Sequence, residues 1–134
     1  MSDHTLTQVR DVMKKQYDMV DGLDTVADAL QKMKHVETKC LVVEKRNESD
    51  EYGIVMLSDM ASQVLARDRS PHRVNIYEIM AKPVITVHPE MDIRYCARLF
   101  LRFGISRAPV VEKRHIVGIV SHTDMVLRGL AKLL

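Results

Sequence analysis

One phrase is written twice in this chain, at matching places in its two halves. Gly53-Ile54-Val55-Met56-Leu57-Ser58-Asp59-Met60 returns as Gly118-Ile119-Val120-Ser121-His122-Thr123-Asp124-Met125. Each copy is a short apolar run that passes into a helix start carrying Ser or Thr and then Asp. The two Asp lie 65 positions apart in a chain of 134 residues. The chain therefore reads as a duplicated unit, and repetition at such a period fixes architecture before any single residue does. It also concentrates the search for chemistry on two equivalent turns, where strand ends meet helix N-termini.

The text upstream extends the duplication. Lys39-Cys40-Leu41-Val42-Val43-Glu44-Lys45 aligns with Arg107-Ala108-Pro109-Val110-Val111-Glu112-Lys113, and Val12-Met13 aligns with Ile79-Met80. The offset shrinks toward the Asp because Arg46-Asn47-Glu48-Ser49-Asp50-Glu51-Tyr52 is a polar insertion. The second copy crosses the same gap with Arg114-His115-Ile116-Val117. Insertions collect in surface hairpins, so the mismatch predicts strand-turn-strand at this place.

Before each hairpin, apolar residues recur at helical spacing: Val26, Ala29, Leu30 and Met33 in one copy, Ile93, Cys96, Ala97 and Phe100 in the other. Asp24 or Thr25 and Asp92 stand where N-caps belong. Strands are expected over Cys40 to Val43, Gly53 to Leu57, Ala108 to Val111 and Val117 to Ser121. Helices follow from about Ser58 to Arg67 and from about Thr123 to Leu133. A short strand is expected ahead of each unit, near Tyr17 to Val20 and Val84 to Val87, with Pro83 at the first position of the latter. The unit is β-α-β-β-α, twice. Residues 1–73 hold the first repeat with an N-terminal segment and the Asp68-to-Arg73 linker, and residues 74–134 hold the second.

Composition excludes several classes. At 46% hydrophobic and 28% charged residues the chain can build a core. A net charge of +2 is too small to point to nucleic acid or an anionic membrane. No apolar stretch approaches the ~20 residues that span a bilayer, and Met1-Ser2-Asp3-His4 opens no signal region. Cys40 and Cys96 lie in separate apolar patterns and read as two buried thiols with no disulfide framework, so a reducing, cytoplasmic setting is expected. His35, His88 and His115 lack metal-ligand spacing, and no Gly-x-Ser-x-Gly or P-loop occurs; neither metal nor catalytic residues are expected. Arg67, Arg69, His72 and Arg73 read as a solvated linker face, and Arg94, Arg98 and Arg102 as an exposed helix stripe.

The unit order, the openings Val-Arg-Asp-Val-Met (9–13) and Tyr-Glu-Ile-Met (77–80), and the two Gly-to-Asp endings together resemble a tandem pair of CBS domains, a small stand-alone Bateman module. The resemblance runs from about Val9 to Leu130. It implies an α/β (α+β) fold of two repeats about a pseudo-twofold axis, small sheets packed on helices, with clefts between the repeats. It further implies binding of an adenosine-containing molecule (AMP, ADP, ATP or S-adenosylmethionine), regulation of an unknown protein partner, and a homodimer.

An Asp just inside a helix start can accept hydrogen bonds from both vicinal hydroxyls of a ribose. The open N–H groups of that turn favour a phosphate. Asp124 and Asp59 suit that task, although cap-then-acid is also what a plain helix N-terminus looks like. The resemblance adds Ser121 as a phosphate contact, Thr86 with Ile105, Ser106 and Arg107 around the adenine, and Ile119 as its apolar wall. His122 lies beside this place, within reach of phosphate or simply exposed. The matching first-repeat positions are Met19, Glu37, Thr38 and Lys39, with Ile54 as the wall. Met56 replaces Ser121 there, and a thioether donates no hydrogen bond. One good site and one degraded site are expected. The alternative is an interaction module that dimerises or docks a partner with no ligand at all.

Overall fold

The computed structural model of the chain describes residues 6–134; Met1 to His4, read above for a signal region, lie outside them. Cys40–Val43, apolar at every position, forms β2 and is buried throughout. It pairs in parallel with β1, Met19–Val20, and antiparallel with β3, Gly53–Met56. Helix α2, Val26–Lys32, starts at Thr25, whose hydroxyl accepts the Asp28 N–H at 3.0 Å. It ends after 7 residues. Its buried face is therefore Val26, Ala27 and Ala29, while Leu30, expected to be inside, is 45% exposed. Helix α3, Leu57–Met60, continues as a π-helix over Ala61–Leu65, in which the Ala66 N–H reaches back to the Ala61 carbonyl at 2.8 Å.

The second copy is built alike. Helix α4, Ile93–Phe103, is capped by Asp92 and closed by Gly104 at φ +63°, a left-handed C-terminus that suits glycine. Strands β4, Arg107–Glu112, and β5, His115–Ser121, form an antiparallel ladder with a register shift between Val110 and Val111. Helix α5, His122–Arg128, stops at Gly129 and a 3-10 turn over Leu130–Leu133 follows, where one continuous helix was expected. The strand expected over Val84 to Val87 is reduced to one bridge, Val87 with Val110. Pro109 supplies the reason. In the first copy the Val42 N–H donates to the Asp18 carbonyl, and the equivalent bond in the second would need an N–H on Pro109.

Two compact units result, and they do not follow the chain in simple order. One is Tyr17–Val84; the other joins Ile85–Leu134 to the N-terminal segment that ends at Gln16. That segment, with α1 over Val9–Val12, donates from Val9 N–H to Met91 O (2.8 Å) and from Arg10 N–H to Pro89 O (2.9 Å). The segment at 74–81 does the same for the first repeat, from Ile76 N–H to Asp24 O (2.8 Å) and from Tyr77 N–H to Gly22 O (2.9 Å). Each repeat thus folds against the leader that precedes the other one. The aligned Val12-Met13 and Ile79-Met80 are these two leaders. Val12, Val87, Cys96, Val110 and Val120 share one core; Val20, Leu41, Val55 and Ile79 share the other.

The ladders also correct the alignment of the repeats. Cys40 pairs with Met56, and Arg107 pairs with Ser121. Since Met56 and Ser121 are equivalent, Cys40 corresponds to Arg107, not to Ala108. The shared Val-Val-Glu-Lys text pulls the alignment off by one residue, and a one-residue slip exchanges the faces of a strand. The first-repeat counterparts of Ile105 and Ser106 are accordingly Thr38 and Lys39, so Glu37 does not stand in for Ile105.

Candidate functional site

The repeated turn is positioned by strand and helix together. β5 ends at Ser121, which has extended backbone, and α5 begins at His122. Ser121 and Asp124 are both buried and satisfy one another. Asp124 Oδ2 accepts the Ser121 N–H at 3.1 Å and the Ser121 hydroxyl at 2.9 Å, while the Asp124 N–H donates to Ser121 Oγ at 3.1 Å. This is a reciprocal capping box. The first repeat keeps half of it: Asp59 Oδ2 accepts the Met56 N–H at 2.8 Å, and the Met56 side chain offers no hydroxyl. Both repeated Asp therefore serve their own helix starts.

A residue that the sequence reading passed over completes the second turn. The ammonium of Lys14 is ion-paired with Asp124 Oδ1. Its backbone is held by a two-way bridge to Ile119, with Lys14 N–H to Ile119 O at 2.8 Å and Ile119 N–H to Lys14 O at 2.9 Å. Gly118 permits this approach, because a Cβ there would fall 2.7 Å from the Lys14 carbonyl oxygen. The first repeat repeats the bridge between Ile54 and Ala81. Alanine carries no charge, and among the described residues Asp59 has no cationic partner. The repeat offset equates Lys14 with Ala81, but it carries no signal of which leader meets which turn.

Other expected positions gather with uneven success. The Ser106 carbonyl accepts the His122 N–H at 3.0 Å, and Arg107 Nε lies 3.3 Å from Ser106 Oγ, so Ser106, Arg107, Ser121 and His122 form one neighbourhood. The His122 side chain is exposed and Ile105 is half-buried. Thr86 is exposed, one residue before the Val87 bridge to β4. Ile119 is buried to 1% exposure. In the first repeat, Lys39 adopts left-handed backbone and its carbonyl accepts the Leu57 N–H at 3.0 Å. Thr38 is turned inward, its hydroxyl 2.8 Å from the His35 carbonyl and 3.1 Å from that of Cys40. Ile54 is likewise buried. The exposed arginines behave as surface: Arg94 pairs with Asp92, and Arg98 lies over the Tyr95 ring.

A pocket of about 280 Å³ lies at the other end of α5, lined by Leu6, Thr7, Ile93, Leu130 and Leu133 with the Asp92–Arg94 pair at its edge. It is apolar and holds none of the residues expected to bind a ligand. Among the described residues, no helix is long and apolar enough to cross a membrane.

The chain is similar to known proteins in sequence and fold. The CBS-domain profile matches residues 9–66 and again 76–130. The mitochondrial CBS domain-containing protein CBSX3 of Arabidopsis thaliana is 30% identical over 130 residues, covering 90% of this chain and 63% of its own length. The uncharacterized protein MK0525 of Methanopyrus kandleri is 34% identical over 82 residues, 60% of this chain and 42% of its own. The chain thus spans less than two thirds of each of these relatives. The structure of a hexameric CBS-CP12 protein from bloom-forming cyanobacteria superposes with a TM-score of 0.87 at 39% identity, covering 92% of this chain and 71% of that one. The CBS domain pair of protein MJ0100, in complex with 5-methylthioadenosine and S-adenosyl-L-methionine, superposes with a TM-score of 0.77 at 26% identity over 96% of this chain and 99% of that one. With both repeats matched and the mixed helix-and-strand unit built twice, the chain belongs to the CBS-domain family as a tandem CBS pair.

Proposed function

We propose that the chain is a non-enzymatic regulatory module that senses an adenosine-containing ligand, AMP, ADP or ATP, with S-adenosylmethionine as a further candidate. The observation that carries this reading is the MJ0100 pair, which matches over 99% of its length and holds two adenosine compounds. In the present chain the second-repeat turn is the favoured place, with Asp124 receiving the ribose and Ser121, His122 and the Ser106–Arg107 backbone around it. Ser121 and Asp124 already satisfy each other, so a ligand must exchange hydrogen bonds there instead of simply adding them. The first repeat, with Met56 for Ser121, has fewer donors to offer.

The thiol on α4 is not set up as a nucleophile. Cys96 is fully buried, and burial pushes its pKa up to about 11, so it is a protonated, poorly nucleophilic group at neutral pH. Buried Cys40 and Cys96 suit a reducing compartment such as the cytoplasm.

A thermal-shift series tests the function. A ligand that binds only the folded state at 100 times its Kd adds about 2.7 kcal/mol and raises Tm by several degrees. AMP, ADP or ATP is expected to do so and guanine nucleotides to do so less. Asp124→Ala should remove most of the shift and Asp59→Ala little of it. The reverse ranking would assign the ligand to the first repeat, and no shift with any adenosine compound at millimolar concentration would sink the sensing role.

A second reading, an interaction module without ligand, is favoured by one observation. Leu65, Leu101, Leu127 and Leu133 are each at least two-thirds exposed, and the cyanobacterial relative is a hexamer. A homodimer with twofold symmetry is the simplest way to cover such surface.

A further inference from the structure

Asp124 has two carboxylate oxygens, and the structure accounts for both. Oδ2 takes two donors from Ser121, and Oδ1 takes the Lys14 ammonium. The carboxylate side of this pair is 5% exposed and the lysine side 26%, so the acid is enclosed and the base sits at the rim. A ribose presents two neighbouring hydroxyl donors. To receive both, Asp124 must give up the ammonium, because its other oxygen is already filled. A neutral nucleoside that displaces Lys14 leaves a cation without its partner. A ligand bearing an anionic group offers the displaced ammonium a new partner, within reach of a flexible four-carbon stem.

We propose that Lys14 determines the specificity of the second-repeat site: it holds Asp124 closed against neutral nucleosides and opens it to anionic ones. The proposal rests on the adenosine-sensing reading above. Three facts about this chain support it beyond the ion pair. The Lys14 backbone is fixed by the bridge to Ile119, so only the side chain needs to move. The Arg128 guanidinium, on the same helix as Asp124, lies 3.3 Å from the Met13 carbonyl and anchors the leader again at the neighbouring residue. At the equivalent place in the first repeat stands Ala81, bridged to Ile54 in the same way, so the device is present in one repeat only.

Adenosine and AMP distinguish the outcomes, since they share base and ribose and differ in the phosphate. Calorimetric titration of both into wild-type protein, Lys14→Met and Lys14→Arg gives the ratio of their affinities. Loss of a charge-assisted hydrogen bond corresponds to roughly ten- to a hundred-fold in affinity. In Lys14→Met the preference for AMP over adenosine is expected to fall by that factor, with adenosine itself binding more tightly than to wild type. Lys14→Arg should keep the preference. Lys14→Gln, which retains a donor toward Asp124 without the charge, carries the same comparison if the methionine variant does not fold. An unchanged preference in a folded, uncharged variant overturns the assignment of Lys14 while leaving adenosine sensing intact. Binding of neither compound to wild type or variant overturns this proposal, and overturns adenosine sensing with it if ADP, ATP and S-adenosylmethionine also give no thermal shift.

Discussion

Gly118 shows how one missing side chain sets the geometry of the second turn. A Cβ at this position would meet the Lys14 carbonyl oxygen at 2.7 Å and Met13 Sδ at 2.8 Å. The carbonyl cannot retreat, since it accepts the Ile119 N–H. Gly118→Ala is therefore expected to cost about 1–3 kcal/mol, the usual range for overpacking. Gly53→Ala should cost less, because the nearest backbone atom there is the Ala81 oxygen at 3.1 Å. Urea melts of the two variants measure the difference, and equal losses would contradict this account. The glycines, Ser121 and the two Asp were legible as a repeated phrase. Their partners were not: Lys14 lies 110 residues from Asp124, and no local pattern links them. Likewise His88, Glu90 and Glu112 bring their donor atoms within 4.8 Å of one another, at the exposed end of the Val87–Val110 pairing, although their spacing in the sequence suggests nothing.

The polar insertion between β2 and β3 is an element with its own fastening. Asp50 accepts the Arg46 N–H at 2.8 Å, Arg46 Nε at 3.2 Å and the Lys82 ammonium at 2.6 Å. The Lys82 bond first, and then the Arg46 backbone, hold the Asp50 carboxyl well below the ordinary carboxylate range. A depressed pKa in the folded state stabilises above the unfolded value of 3.8 and is lost as pH falls through the folded one. The stability gap between wild type and Asp50→Asn should hold steady at about pH 6 and narrow toward pH 3, in urea melts across that range. A gap that widens in acid would show that the fastening is not ionic. Strand and helix order came from the text, the strands from short continuous apolar runs and the helices from apolar residues at helical spacing. The departures have local causes outside periodicity: Pro109 withholds the N–H that would lengthen the leading strand, Gly129 ends α5, and the π-turn after α3 alters the helical register from Ala61 onward.

For the molecule as a whole, apolar surface outside the two cores predicts association. Leu127, Leu130 and Leu133 lie along or just beyond α5 with exposures of 67%, 56% and 69%. Light scattering at tens of micromolar should return at least twice the 15.4 kDa chain mass, and a monomer would contradict it. The duplication was visible from the text, but the exchange of leaders was not, because similarity between repeats says nothing of which leader meets which core. That exchange has a consequence for synthesis on the ribosome. The Tyr17–Val84 unit is complete, leader included, once its last residue has emerged. The segment through Gln16, made before that unit, has its core supplied by Ile85–Leu134, made after it. At about 5–20 residues per second Val9 and Val12 wait several seconds or more, uncovered, until Ile85–Leu134 has emerged.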